Sequence, residues 1–417
     1  MNRGTCTTLI ARALPSGLPS FLLAAILFGS LPASAQTSGG AGGAGFGAGG
    51  AGSISASTGP GGAGGVGVAG ANDGGGGIGG GGIVGGGRTI TNSGTITGGL
   101  GGGATRANAI TFTGGTNSLV LQARSTIIGN VVAFSGDDTL VLGGSPNASF
   151  AISAQYQGFG LFSKIGSSTW MLTGTTAAVT PWTIRGGTLE VSADAALGAA
   201  SGGLTFNGGT LQWAASFSSA RAITLDAGGG TIDTDGNSAT LSGTIGGAGG
   251  LAKAGTGPLT LSGANTHSGG TTVTGGTLLL TGAGPLGGTN GATTVAGGTL
   301  DLGGTAQTQN GGLRLAGGAL QNGTFSSSGT FALQARTVSA ALDGAGAVEK
   351  TTAGTVILAG ANTYSGGTTV SGGTLLLTGA GTLGSTTGAT TITGGTLDLG
   401  GTVQMQNGGL TLAGGAL

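Results

Sequence analysis

The chain has 417 residues, 104 of them glycine, and only 6% of its side chains are charged and 4% aromatic. Glycine at that level, where a typical domain holds roughly 7%, excludes an ordinary globule built on Phe and Trp. Twelve Lys and Arg balance twelve Asp and Glu; with no basic cluster, the chain lacks the footprint that phosphate binding needs, which disfavours a nucleic-acid partner.

The first element is an export signal over residues 1–35. Arg3 and Arg12 precede the apolar run FLLAAILF at 21–28, and Ala33, Ser34 and Ala35 form a small-residue cleavage site. The run is too short to span a bilayer, and cleavage is expected after Ala35. The sole cysteine, Cys6, leaves with this segment. The mature chain therefore has no disulfide, no thiolate metal site and no cysteine nucleophile. Residues 36–87 follow as a Gly-rich, low-complexity leader, read as flexible or loosely coiled. A phosphate-binding loop is one short turn between a strand and a helix. A Gly-rich stretch of about fifty residues without a helix pattern is not that.

From residue 88 to 417, short runs of Thr, Val, Ile and Leu recur, too apolar for a disordered chain, and repeats dominate. Residues 263–320 return at 360–417, 97 residues on, with ten differences. Within them a Gly-Gly pair followed by Thr starts at Gly186, Gly208, Gly275, Gly297, Gly372 and Gly394, 22 residues apart within each successive pair. Each pair leads into Thr-apolar-x-apolar, as in Thr299, Leu300, Asp301, Leu302. Strand side chains alternate faces, so Leu300 and Leu302 point one way while Thr299 and Asp301 point the other. The glycines supply a corner where φ can be positive and backbones approach closely.

This pattern predicts one coil of a β-solenoid per 22 residues. Stacking then places Leu189, Leu211, Leu278, Leu300, Leu375 and Leu397 in an internal ladder. About fifteen coils at about 4.8 Å give a rod on the order of 70 Å long. A propeller is the rival β architecture, but its blades run to about 40–50 residues with aromatic signatures absent here.

The segments 249–278, GGLAKAGTGPLTLSGANTHSGGTTVTGGTL, and 347–375, AVEKTTAGTVILAGANTYSGGTTVSGGTL, resemble the autotransporter-associated β-strand repeat, also called the passenger-associated transport repeat. A degenerate form runs over 160–189, and Lys164, Lys253 and Lys350 hold matching places. The resemblance covers about 88–417. It implies a right-handed parallel β-helix and export through an outer membrane to the cell surface or the medium. It also implies an outer-membrane β-barrel translocator as partner, with a host or neighbouring-cell surface as a possible second one. Such proteins end in a membrane barrel. The chain stops in mid-repetition at Leu417, so further coils and a barrel are expected beyond it or from an adjacent gene.

Candidates for chemistry are few. His267, the one histidine, has Tyr364 as its counterpart 97 residues on, which points to a stacking or surface role rather than a general base. Glycoside hydrolysis needs two carboxyls within about 5–10 Å, and Asp226, Asp233 and Asp235 are the cluster to test; Asp301 and Asp398 are outward copies of one another. Residues 136–144 carry Asp137 and Asp138 in a faint calcium nonapeptide, but that site needs tandem copies. Trp170, Trp182 and Trp213 could form a sugar-stacking surface, although Trp213 falls on the inward side. No residue is assigned to catalysis, cofactor or metal. The expected function is an exported passenger with a structural or adhesive role; the alternatives are a β-helical polysaccharide-cleaving enzyme and an unstructured Gly-rich wall protein.

Overall fold

The computed structural model describes residues 53–56, 82–100, 106–282, 284–334 and 336–417. The export signal and most of the leader lie outside the described residues. Described strands stack in parallel into a β-solenoid of about 14 turns, with successive coils about 21 residues apart. That is one coil fewer and one residue shorter than the Gly-Gly-Thr spacing predicts. The pattern itself holds: three-residue strands such as Thr293–Val295 and Leu204–Phe206 bury their first and third residues. No α-helix occurs among the described residues; one 3-10 turn, Asp194–Leu197, interrupts the strands.

Three sheets form the walls. Sheet 1 has nine strands, from Ser53–Ala56 to Ile245–Gly247; sheet 2 has fourteen, from Ala148–Ala151 to Leu410–Leu412. Sheet 3 has eleven, and runs from Phe217–Ser219 to Thr396–Asp398. A full circuit passes from Ile223–Leu225 in sheet 1 through Gly230–Asp233 in sheet 2 and Ala239–Leu241 in sheet 3 to Ile245–Gly247, again in sheet 1. Upstream, Thr95–Thr97 pairs with Thr126–Ile128, and a four-stranded sheet joins Ile83–Gly85 to Tyr156–Gln157. Ser53–Ala56, from the leader, pairs with Thr89–Asn92.

Sheets 1 and 3 overlap only briefly, with a consequence that the spacing does not reveal. Gly186 and Gly187 turn the chain from Trp182–Ile184 of sheet 1 into Thr188–Val191 of sheet 2. Gly275 and Gly276 instead turn it from Thr271–Val273 of sheet 2 into Thr277–Leu280 of sheet 3. The expected single leucine ladder is therefore two. Leu189 pairs with Leu211 on sheet 2, whereas Leu278 pairs with Leu300, and Leu375 with Leu397, on sheet 3. All six are buried. The motif encodes a corner and the strand after it, not the wall on which that strand lies, so its phase advances by one wall between residues 213 and 251.

Side chains from all three walls fill one continuous apolar core. Burial on the order of 25 cal/mol per Å² of apolar surface holds the coils together, and each coil adds a row of parallel backbone hydrogen bonds. Sheet 3 opens with Phe217–Ser219, and the 3-10 turn packs against this strand. The buried Arg221 guanidinium fixes that turn, reaching the Asp194 carboxylate at 2.8 Å and the carbonyls of Ala199, Gly202 and Gly198 at 2.7, 2.8 and 2.5 Å.

Candidate functional site

The repeat motif is the place to look for chemistry, and its polar residues turn inward. Lys164, Lys253 and Lys350 occupy inward positions in the aliphatic ladders and are completely buried. Lys253 stands between Ile232 and Val273, and Lys164 between Leu142 and Ile184. Each stem packs in the core while the ammonium reaches the corner at the end of its own strand. Lys253 Nζ donates to the carbonyls of Ala254 at 2.6 Å and Gly255 at 2.9 Å, and to Thr234 Oγ1 at 3.0 Å. It also reaches Gly275 O, one coil on, at 3.2 Å. Lys164 repeats the arrangement on Ile165 O at 2.8 Å and Gly186 O at 3.1 Å. Lys350 repeats it on Thr352 O and on Gly372 O at 2.9 Å.

The first glycine of each of these pairs therefore accepts a hydrogen bond from a buried lysine in the coil before. The second carries the left-handed turn, with φ of 61°, 60° and 63° at Gly187, Gly276 and Gly373. A β-carbon on Gly187 would sit 2.6 Å from Lys164 Nζ. Burial lowers the amines of Lys164 and Lys253 to about 8; Asp233 opposes the shift at Lys253. Both remain protonated at neutral pH and can act as donors.

The Gly-Ala-Asn-Thr segment works the same way. Asn265 Oδ1 accepts the Ile245 N–H at 3.1 Å, and its amide donates to Pro285 O at 3.0 Å. Asn362 does likewise with Leu342 N at 2.9 Å and Thr382 O at 2.8 Å. One side chain thus bridges the coil before and the coil after. Gln307 and Gln404 continue the row by accepting the N–H of Leu286 and Leu383, each at 3.0 Å. Sequence reasoning missed these residues; the signal available was the recurrence of Asn, 97 residues on, next to a ring that changes.

That ring is buried, so of the stacking or surface role expected of His267 the surface alternative falls. His267 and Tyr364 are both fully enclosed, with His267 Nε2 at 3.1 Å from Thr271 Oγ1 and Tyr364 Oη at 2.7 Å from Thr368 Oγ1. Thr271 Oγ1 donates to Leu286 O at 2.7 Å, so its one proton is used and the imidazole is the donor at Nε2. Burial pushes the His267 pKa down. The slot accepts either ring because both place a polar atom within hydrogen-bond distance of the equivalent threonine.

The other candidates are drawn into the fold. Asp226 stands at the corner from sheet 1 to sheet 2, whereas Asp233 ends the next strand, Gly230–Asp233, at the opposite corner. Asp233 accepts the Asp235 N–H at 2.9 Å and the Gln212 amide at 3.3 Å, a turn-stabilising arrangement rather than a carboxyl pair across a groove. Asp301 points outward as expected and accepts from Gln321, Asn322 and the Gly303 N–H, each at 2.9 Å. Asp398 accepts the Gly400 N–H at 2.9 Å.

Asp138 is buried, and its two oxygens take the N–H groups of Asn117 and Phe134 at 2.8 and 2.7 Å together with the Asn117 amide. Those donors occupy the lone pairs that a calcium ion would require. Among the described residues no three His, Cys, Asp or Glu side chains gather as a metal set. All three tryptophans are buried: Trp170 donates to Gly143 O at 3.1 Å, Trp182 lies 5.3 Å from Phe162, and Trp213 stacks on Phe217 at 5.0 Å. They form core, not a sugar platform.

The passenger-associated transport repeat family matches three stretches of the chain, residues 162–191, 251–280 and 348–377. Each spans four strands, two on each of two walls in successive coils, around a buried lysine and a Gly-Gly corner. The chain is also similar to the Adhesin BmaC autotransporter of Brucella suis biovar 1 (strain 1330), with 36% identity over 138 residues. That alignment takes in 32% of this chain and 4% of the relative, so the chain spans a small fraction of that protein's length. No solved structure matches it. Three passenger-associated transport repeats, each laid across parts of two successive coils of a parallel β-solenoid, together with the likeness to an autotransporter adhesin, support an autotransporter passenger with passenger-associated repeats.

Proposed function

We propose that the chain is part of an exported surface passenger with a structural or adhesive role, carried across the outer membrane by a β-barrel translocator. On this reading residues 1–35 are removed after Ala35, 36–87 form the leader and 88–417 belong to the rod. The observation that carries it is the inward commitment of the motif: its Lys, Asn and His or Tyr all serve the stacking of one coil on the next. Such residues build length and stiffness, and the Asp233 carboxylate is engaged by the Asp235 N–H and by the Gln212 amide of its own wall. The name of the Brucella relative supports adhesion as the use of that length.

The experiment is an in-frame deletion of codons 251–377 in the native gene, followed by protease accessibility on intact cells and an adherence assay. Surface exposure should persist while adherence falls. Glycan depolymerisation that is present in the wild type and abolished by Asp233→Asn would overturn the reading in favour of an enzyme.

A further inference from the structure

One joint in the solenoid departs from the rest. Ser118–Leu121 and Thr139–Leu142 pair within sheet 1, so their coils are neighbours. Beyond that wall they part. Thr126–Ile128 pairs only backward, with Thr95–Thr97, and Ala148–Ala151 pairs only forward, with Thr169–Thr173. The backward edge of Ala148–Ala151 is left without a partner strand, and between it and the turn at 122–125 lies a depression of about 180 Å³ lined by Gln122, Arg124, Ser149, Phe150, Ala151 and Tyr156, among others.

The backbone directions follow from the pairing. In a parallel pair, alternate residues turn their N–H and C=O toward the same neighbour. Ile152 N donates to Thr173 O at 3.0 Å, so Ala148, Phe150 and Ile152 face the next coil. Ser149 and Ala151 turn their N–H and C=O groups into the depression. Ile127 turns its own groups away from Thr95–Thr97, and the Gln155 amide clamps the carbonyls of Ile127 and Gly129 at 2.8 Å each. At the other end of the seam, among the described residues, no such clamp bridges Ser149 and Ala151 to the turn at 122–125.

Arg124 marks that end. Ser125 N donates to Gln122 O at 3.0 Å, closing the turn, and Arg124 sits at the third position with φ 75°. This position favours glycine or asparagine, and a longer side chain held there stores strain. Arg124 is exposed and is the one charged side chain lining the depression. Its neighbours Phe150 and Tyr156 put their rings 5.0 Å apart at the floor. A second hollow, about 250 Å³, is lined by glycine, alanine, threonine and one leucine; its lining has no charge with which to select a ligand.

We propose that the seam at 148–151 binds an extended peptide segment of a partner protein by strand addition, with Arg124 selecting an acidic side chain. Ser149 and Ala151 supply two N–H donors and two C=O acceptors in the alternation that an added strand needs. Arg124 provides a charge-assisted bond to a carboxylate. The proposal names a partner class for the surface passenger, but binding by the purified chain is independent of how the chain is exported.

The test uses the full chain and two fluorescein-labelled heptapeptides, Ser-Thr-Val-Asp-Val-Thr-Ser and the same sequence with Lys at the centre. The Asp peptide should bind and the Lys peptide should bind at least about tenfold more weakly. The Asp peptide should also slow hydrogen exchange at the Ser149 and Ala151 amides, and not at Phe150. Arg124→Gly should abolish the preference while leaving thermal stability equal or higher, because glycine relieves the left-handed turn. Ala151→Pro, which removes an N–H the fold does not use, should abolish binding of both peptides. Absence of binding by either peptide, equal binding of the two, or unchanged exchange at Ser149 and Ala151 would overturn the proposal. So would capture of an acidic oligosaccharide, such as oligogalacturonate, at this seam with no effect of Ala151→Pro.

Discussion

The coils over residues 161–213 and the repeats after 251 solve one stacking problem with different residues. Upstream, sheets 1 and 2 carry the strands, and bulky rings fill the core: Trp170, Trp182, Trp213 and Phe206 are all buried. The remaining side is closed by the 3-10 turn and Arg221. Downstream, sheets 2 and 3 carry the strands, leucine and valine fill most of the core beside Phe325, Phe331 and Tyr364, and the remaining side is closed by Asn265, Gln307, Asn362 and Gln404 bridging from coil to coil. The lysine cage over a Gly-Gly corner is common to both. A corner built from backbone carbonyls and a left-handed glycine takes no account of which wall follows it, so one motif can serve on either pair of walls.

The largest expected effect breaks the ladders. Leu211→Asp on sheet 2 and Leu300→Asp on sheet 3 each place an unpaired charge in a dry core, at a cost of several kcal/mol. Denaturant unfolding followed by hydrogen exchange should show loss of protection spreading from each site into its own coils. If either variant unfolds the whole solenoid in one step, the two regions form a single cooperative unit rather than a near-neighbour stack.

Next come the shared cages. Lys164→Met and Lys253→Met keep the apolar stem but orphan buried carbonyls, each variant losing about 1–3 kcal/mol. Similar losses in the two regions, read from urea midpoints, would support a common corner device; a neutral Lys253→Met would show that the corner holds without it. Asn265→Ala and Asn362→Ala each strand one N–H and one C=O, and the two should match at about 1–3 kcal/mol. A clear inequality would mean that the sister copies are not equivalent in the stack.

The smallest effect separates the sisters by pH. Burial holds the His267 imidazole below its ordinary value of 6.5, so acid protonates the unfolded chain before the native one. The stability this site contributes is complete above about pH 6.5 and falls as the pH drops below it. Tyr364, whose hydroxyl burial pushes up, does not titrate there. The fall in melting temperature between pH 7.5 and pH 5 should therefore shrink in His267→Tyr. An unchanged fall would place the acid sensitivity elsewhere.

Most of the fold was legible in the chain before any coordinates. Gly-Gly followed by Thr-apolar-x-apolar marks a corner and an inward pair because glycine alone tolerates the turn and strand side chains alternate; the structure follows that local code at Leu189, Leu300 and Leu397. The 97-residue duplication, the degenerate copy over 160–189 and the inward place of Trp213 were all visible as spacing. What only the tertiary structure decided is which wall each strand joins, and where polar side chains go once coils are stacked. The advance of the motif by one wall depends on where sheet 1 stops and sheet 3 starts, which no single repeat encodes. His267, Lys253 and Asp138 look like surface or ligand residues in the sequence because their types are polar. They are buried because the partners that satisfy them are carbonyls and amides about one coil away, groups that every residue carries and no sequence pattern marks.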